Sequence, residues 1–345
     1  MIETVLGPVP ASTWGPTSMH DHLVSDSSRL ARPGTEPAPE LDRVTARNIR
    51  YLRRNMLASA DNLRLDDPAL IARELGATAR AGQHGVVEAS SWGLGPHHTH
   101  LPDISRASGV AVVSAYGAYI PRTLPSWIAR MSESELRQHL SDALTVAIPG
   151  TTFRAGILGI MGTTADFPPR EQAMLRAAAR AALSAGAAVT VRLEETARRG
   201  LDVLAVVTTE GLPADRVVFT NADEYMDASY WDDLADAGAV LEMCFGTEAV
   251  HEGRIDNPQD ADRLDFFVDF VMTHSHSRHV LGQSIWTKTQ LAVFGGRGYG
   301  YLAAEIVPEL HRRGIAGARI DEMWIDEPRR LLDRQHVRNS YVDAN

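Results

Sequence analysis

Short β-branched runs alternate with Ala-, Arg- and Leu-rich stretches through the middle and end of the chain. The runs fall at 84–90, 109–116, 153–160, 187–193, 216–221, 238–244 and 279–284. Between them, 169–185, 197–210 and 228–237 place apolar residues at helical spacing. Gly82, Gly109, Gly186 and Gly238 each stand where such a stretch gives way to a strand, a position that suits a helix C-cap. Seven strands are read in this way, and an eighth leading into the His20 region is needed to close a barrel. Strands alternating with helices imply a parallel sheet, either closed or doubly wound. No Gly-x-Gly-x-x-Gly follows the first strand, and Gly93-Leu94-Gly95 is too short a match to indicate dinucleotide binding. The expected fold is α/β, a (β/α)8 TIM barrel forming a single domain over residues 1–345. Residues 25–66 are Pro-, Arg- and Asp-rich without a clear strand and are expected to be an insertion near one barrel end, with 334–345 as a tail.

Composition narrows the partners. With 345 residues, 44% of them hydrophobic and 23% charged, the chain has ample material for a core. A net charge of −10 argues against nucleic acid or an anionic membrane surface. The single cysteine, Cys244, allows no intrachain disulfide and favours a reducing compartment. Met1 to Val5 lack a positive segment followed by an apolar stretch, and no apolar run approaches the ~18 residues of a spanning helix. A cytoplasmic location is expected.

In such a barrel the chemistry sits where strands end. The first strand ends in Met19-His20-Asp21-His22, whose two imidazoles point to one face and can meet on one ion or substrate. Two polar residues at a strand end are the plainer alternative. Other strand ends carry Glu88, Tyr119, Ile160, Arg192, Asn221 with Asp223, Cys244 and Ser284. Arg192 suits a carboxylate or phosphate, or else a salt bridge to Glu194, Glu195 or Glu88. Asp223 can orient a histidine, act as a base, or cap the helix starting near Ala228. Cys244 would need a neighbouring base to be a nucleophile, and a small buried hydrophobe is its commoner role. The groups His97-His98-Thr99-His100 and His274-Ser275-His276 fall outside strand C-terminal ends and read as surface or loop histidines.

The order of these segments resembles the phosphotriesterase family of the amidohydrolase superfamily. Gly15-Pro16-Thr17-Ser18-Met19-His20-Asp21-His22-Leu23 is similar to the family's opening Gly-x-Thr-x-x-His-x-His-Leu. Arg154 to Gly159 and Leu175 to Ala179 match its fourth strand and helix. Gly295 to Tyr301, Pro308-Glu309-Leu310 and Pro328 to Leu332 echo its C-terminal pattern. The resemblance implies a barrel holding two metal ions on four histidines, an aspartate and a bridging carbamylated lysine or glutamate. His20 and His22 are in place. Gly159 or Ile160 stands where the bridge should be, Arg192 and Asn221 replace histidines, and Ser284 replaces the aspartate. Cys244 stands where an aspartate is usual after strand seven.

No binuclear site is expected from this set, and Arg192 would repel an ion. No cofactor is expected; a single zinc on His20 and His22, with Asp223 or Glu88 added, is the alternative. The expected activity is hydrolase-like, metal-independent acid/base catalysis on a small carbonyl-containing substrate. His20, His22, Arg192, Asn221, Asp223 and Ser284 are its expected catalytic groups, with Glu88, Trp92, Tyr119, Cys244 and Trp286 around the substrate. Hydrolysis of an ester, thioester or lactone fits this set, as does a biosynthetic elimination, isomerisation or cyclisation. A non-catalytic barrel that binds a ligand or partner, and a mononuclear zinc hydrolase or lactonase, are the rivals. Pairing as a homodimer is a further expectation from the resemblance.

Overall fold

The computed structural model describes residues 1–194 and 196–334. Eight parallel strands form one sheet, hydrogen-bonded in chain order. They are β1 (Thr17–Asp21), β2 (Gly85–Glu88), β3 (Ala111–Tyr116), β4 (Ile157–Gly162), β5 (Val189–Arg192), β6 (Val217–Thr220), β7 (Val240–Cys244) and β8 (Arg278–Gly282). The ring closes beyond β8, where the Gln283 and Ser284 amides donate to the His20 carbonyl at 3.1 and 2.8 Å. The His22 amide returns a bond to the Ile285 carbonyl at 2.9 Å. The molecule is a (β/α)8 barrel.

Alternation along the strands sends one set of side chains inward. Val87, Val113, Ile157, Val218, Val240 and Val280 form one buried cluster with Ile2, Trp14, Leu331 and Leu332. Ile2 comes from an N-terminal hairpin, Ile2–Thr4 against Gly7–Val9, which plugs the end where the strands begin. The outward set packs under the helices α1 (Pro68–Arg80), α2 (Leu101–Ser108), α3 (Glu133–Thr145), α4 (Pro169–Ala185), α5 (Gly200–Thr209), α6 (Ala228–Asp236) and α7 (Asp260–Thr273). Local chemistry fixes their limits. Proline opens α4 and a left-handed Gly186 (φ 65°) closes it, and a reciprocal Ser132–Glu135 capping box starts α3. No helix of the described residues is long and apolar enough to cross a membrane.

The stretch 25–66 reaches the barrel mouth, where Ser27, Leu30 and Leu57 face a cavity, and it contains strand structure. Ser25–Asp26 pairs antiparallel with Arg64–Leu65. Sequence pattern could not show this, because each partner is only two residues long. A hairpin after β7, Val250–His251 against Ile255–Asp256, clasps the insertion. His251 bridges to Asn55 and its Nδ1 accepts from the Leu57 amide at 3.3 Å, while Glu252 pairs with Arg54. Met56, Leu57, Leu63 and Ala249 form a small apolar core of their own there, with Leu30, Ile255 and Trp286 against it. Glu195 and residues 335–345, most of the expected tail, lie outside the described residues.

Candidate active site

Parallel strands all end on one rim, so side chains far apart in sequence meet there. At that rim a cavity of about 430 Å³ is lined by His20, His22, Arg192, Asn221 and Ser284, with Tyr119 and Trp286 among its walls. These expected residues are brought together. Asp223, Glu88, Trp92 and Cys244 do not line it.

The centre is the histidine pair. His20 Nε2 and His22 Nε2 stand 3.4 Å apart with their rings at 70°. Each opposite nitrogen has a buried partner: His20 Nδ1 lies 2.8 Å from Glu242 Oε2 and His22 Nδ1 lies 2.9 Å from Ser90 Oγ. Burial works against charge on His20, but the Glu242 carboxylate and its hydrogen bond, helped by Asp21 and Asp223, leave its pKa raised. Burial, with the positive charge of His20 beside it, holds His22 well below the ordinary imidazole range. The surroundings thus favour positive charge on His20, beside Glu242, and disfavour it on His22. Glu242 was not among the expected residues. Its signal was present: it is the one carboxylate in the apolar run 238–244, and it shares a strand face with Cys244.

Asn221 immediately follows β6 and Ser284 follows β8 after one intervening residue, and both hold left-handed backbones, at φ 53° and 50°. Such conformations cost energy in non-glycine residues and concentrate where side chains must be aimed. Glu242 also accepts from the Asn221 amide at 3.3 Å, so one carboxylate braces both a histidine and a neutral donor. Arg192 faces the cavity and pairs with Glu224, a partner supplied by the turn after β6 rather than by Glu194 or Glu88.

Four expectations need correcting. Asp223 neither reaches a histidine nor caps a helix. Its carboxylate pairs with Arg263 at 2.8 Å and accepts from the Cys244 amide at 3.0 Å, with both charged side chains fully buried. Asp227 caps α6 instead, accepting from the Tyr230 amide at 3.1 Å. Glu88 is spent on structure, accepting from the Ser90 and Leu23 amides at 3.2 and 3.4 Å, and burial pushes its pKa up to about 8. Trp92 turns away, its Nε1 donating to the Tyr116 hydroxyl at 2.9 Å. Burial, together with Glu242 and Asp223, pushes the Cys244 thiol well above the usual range, the reverse of what a nucleophile needs. Of the other histidines, His97 and His100 are exposed but His98 is buried. His274 and His276 pair with Asp232 and Asp236 on the outside of the barrel, at 3.3 and 3.0 Å.

The binuclear centre of the resembled family does not fit these side chains. Ile160, within β4, has no donor, and the Arg192 guanidinium stands where a ligand should. His20, Glu242 and Cys244 do lie within 4.8 Å of one another. However, Glu242 and Cys244 face the Nδ1 edge of His20, at 2.8 and 3.9 Å, away from the Nε2 that meets His22. No third donor among the described residues joins the two Nε2 atoms, whereas catalytic zinc ordinarily takes three protein ligands.

Comparison with known proteins agrees on the family. The sequence profile of the Phosphotriesterase family matches residues 1–332. A phosphotriesterase-related protein of Nematostella vectensis is 28% identical over 344 residues, covering 96% of this chain and 98% of that protein. An N-acetyltaurine hydrolase of Tetraodon nigroviridis is 28% identical, covering 96% and 97%. Among solved structures, a resiniferatoxin-binding protein from Rhodobacter sphaeroides superposes with a TM-score of 0.90 at 29% identity, covering 96% of this chain and 94% of that one.

Proposed function

The chain belongs to the phosphotriesterase family and is a hydrolase-like enzyme, and on that premise we propose metal-independent acid/base catalysis on a small carbonyl-containing molecule. One observation carries the reading: two Nε2 atoms 3.4 Å apart at the cavity, each imidazole anchored through its other nitrogen to a buried partner. Imidazoles exchange protons near neutrality, and a fixed pair does so without reorganising. Neutral His22 takes a proton from water as the new C–O bond forms at the carbonyl carbon. His20 returns its own proton to the leaving oxygen, sulfur or nitrogen as that bond breaks. Glu242 is a positioning residue that keeps His20 charged and oriented. Asn221 and Ser284 offer neutral hydrogen bonds to the developing oxyanion, and Arg192 adds a charge shared with Glu224. Esters, thioesters and lactones suit this chemistry, and the relative named as an N-acetyltaurine hydrolase adds N-acetyl amides.

The test combines metal analysis with kinetics. Purified protein is expected to hold well under one metal ion per chain and to keep its activity in chelator. His20→Ala is expected to lower kcat by about 10²–10⁴-fold, the usual contribution of a positioned acid or base. Near-unit zinc together with chelator sensitivity would replace this reading with a mononuclear zinc hydrolase.

The Rhodobacter structure, described as that of a binding protein, favours a second reading as a non-catalytic ligand-binding barrel. His20→Ala and Arg192→Ala separate the two. Altered ligand affinity, with no turnover of any ester, thioester, lactone or amide by the parent protein, supports binding alone.

A further inference from the structure

Among the described residues three arginines line the cavity, and the structure neutralises one of them. Arg192 has Glu224. Arg122, in the turn Pro121–Thr123 after β3, and Arg254, in the hairpin after β7, are exposed at the mouth. Neither side chain makes a hydrogen bond or ion pair with any described residue. Partners are not scarce in a chain of net charge −10. Arg54, Arg176, Arg263 and Arg330 each hold a carboxylate. The remaining acid of the cavity wall among the described residues, Glu194, is occupied locally, accepting from the Ala197 amide at 2.9 Å and the Thr196 hydroxyl at 3.1 Å.

Position gives these two cations a use. Arg122 follows β3 and Arg254 comes from the hairpin that clasps the insertion, yet both line the one cavity. Arg254 directly precedes Ile255, which packs with Leu30 and Trp286 against the apolar core under the clasp. A guanidinium beside an apolar wall, at the mouth of a cleft, attracts an anion far more than its charge would in open water. Its planar fork also matches a carboxylate, sulfonate or phosphate.

We propose that the substrate of this site bears an anionic group on the end that projects to the mouth, where Arg122 and Arg254 hold it. Its apolar body lies along Leu30, Ile255 and Trp286, and its carbonyl reaches the histidine pair. Only that last contact rests on the acid/base reading, since the anion site stands on the two rim arginines alone.

Binding is measured first, by calorimetry, with benzoate, benzenesulfonate and phenyl phosphate against the neutral isostere benzamide. The parent protein is expected to bind at least one of the anions tenfold or more tightly than benzamide, less so in 0.5 M than in 0.05 M salt, and which anion it prefers identifies the headgroup. Arg122→Gln and Arg254→Gln are each expected to reduce that preference, and the double variant to abolish it. Both side chains are exposed, so folding is not at stake. Equal binding of benzamide and all three anions, or a double variant that keeps the preference, overturns the proposal. Kinetics then distinguishes it from the catalytic reading. The ratio of kcat/KM for 4-acetoxybenzoate to that for phenyl acetate is compared between proteins, so intrinsic reactivity cancels. It is expected to fall at least tenfold in the double variant, through KM. Anions bound by the arginines with neither ester hydrolysed would sink the acid/base reading and leave the anion site standing. Hydrolysis of both esters with an unchanged ratio would do the reverse.

Discussion

Glu242 ties its charge to a single imidazole, so removing that charge should register first in His20. Glu242→Gln keeps the shape and one acceptor but removes the largest influence opposing burial, leaving only Asp21 and Asp223 against it, so the His20 pKa falls. The sign follows. Activity that needs protonated His20 is lost on raising the pH, and in the variant that loss should move to lower pH with kcat reduced about tenfold or more. The pH–rate profile reads this directly, and an unmoved alkaline limb would separate Glu242 from the chemistry. Asp223 predicts the opposite balance. Asp223→Ala leaves Arg263 short of a partner in a fully buried position, and breaking such a pair costs about 3–5 kcal/mol. Chemical denaturation should show that loss; a variant of parental stability would mean the pair is not structural. The two carboxylates also show what sequence could reveal. His20, His22, Arg192, Asn221 and Ser284 were legible because a barrel strand aims its last residues at one cavity. Asp223 sits in the same neighbourhood, but its direction is set by Arg263, 40 positions later, and no local pattern carries that. Glu242 was legible in principle, two residues before the strand-end Cys244 on the same face.

Elements were read well where period and punctuation agreed. α4 occupies Pro169–Ala185 because apolar spacing, an opening proline and a closing glycine all specify it. Gly186 sits at φ 65°, so Gly186→Ala should cost about 1 kcal/mol without altering the site, visible as a lower Tm at constant kcat. No change in Tm would show that the helix end relaxes freely. The insertion at 25–66 was legible as an interruption and not as structure. Two-residue strands have no measurable alternation, and Asn55, Leu57 and Arg54 find their partners in a hairpin about 200 positions away.

Across the whole molecule, buried acids couple the fold to pH. Burial pushes Asp21 up to about 7 and Glu88 up to about 8. A carboxyl raised in the folded state binds more protons there than in the unfolded chain, so its share of stability falls as pH climbs from the unfolded pKa to the folded one. For these two groups the window runs from about 4 to about 8, at up to roughly 1.4 kcal/mol per pH unit for each full proton of difference. His20, also raised, adds in the same direction above its unfolded pKa of about 6.5, its support being complete below that value. Glu88→Gln is expected to flatten this slope, so that the variant gains on the parent in Tm between pH 5 and 8. Parallel curves over that range would show that Glu88 is ionised in the fold. The barrel as a whole was visible in sequence because its repeat is periodic; the proton inventory was not, since burial is a property of the assembled ring.

The clasp between the β7 hairpin and the insertion after β1 matters for redesign. His251 seats on Asn55 and Leu57, and Ile255 shares their apolar core, so the two segments form one mechanical part despite their distance along the chain. Exchanging either for a homologous segment alone would leave an ill-fitting joint above the pocket. Libraries aimed at new selectivity should transplant both together, or confine changes to the side chains that point inward from the joined piece.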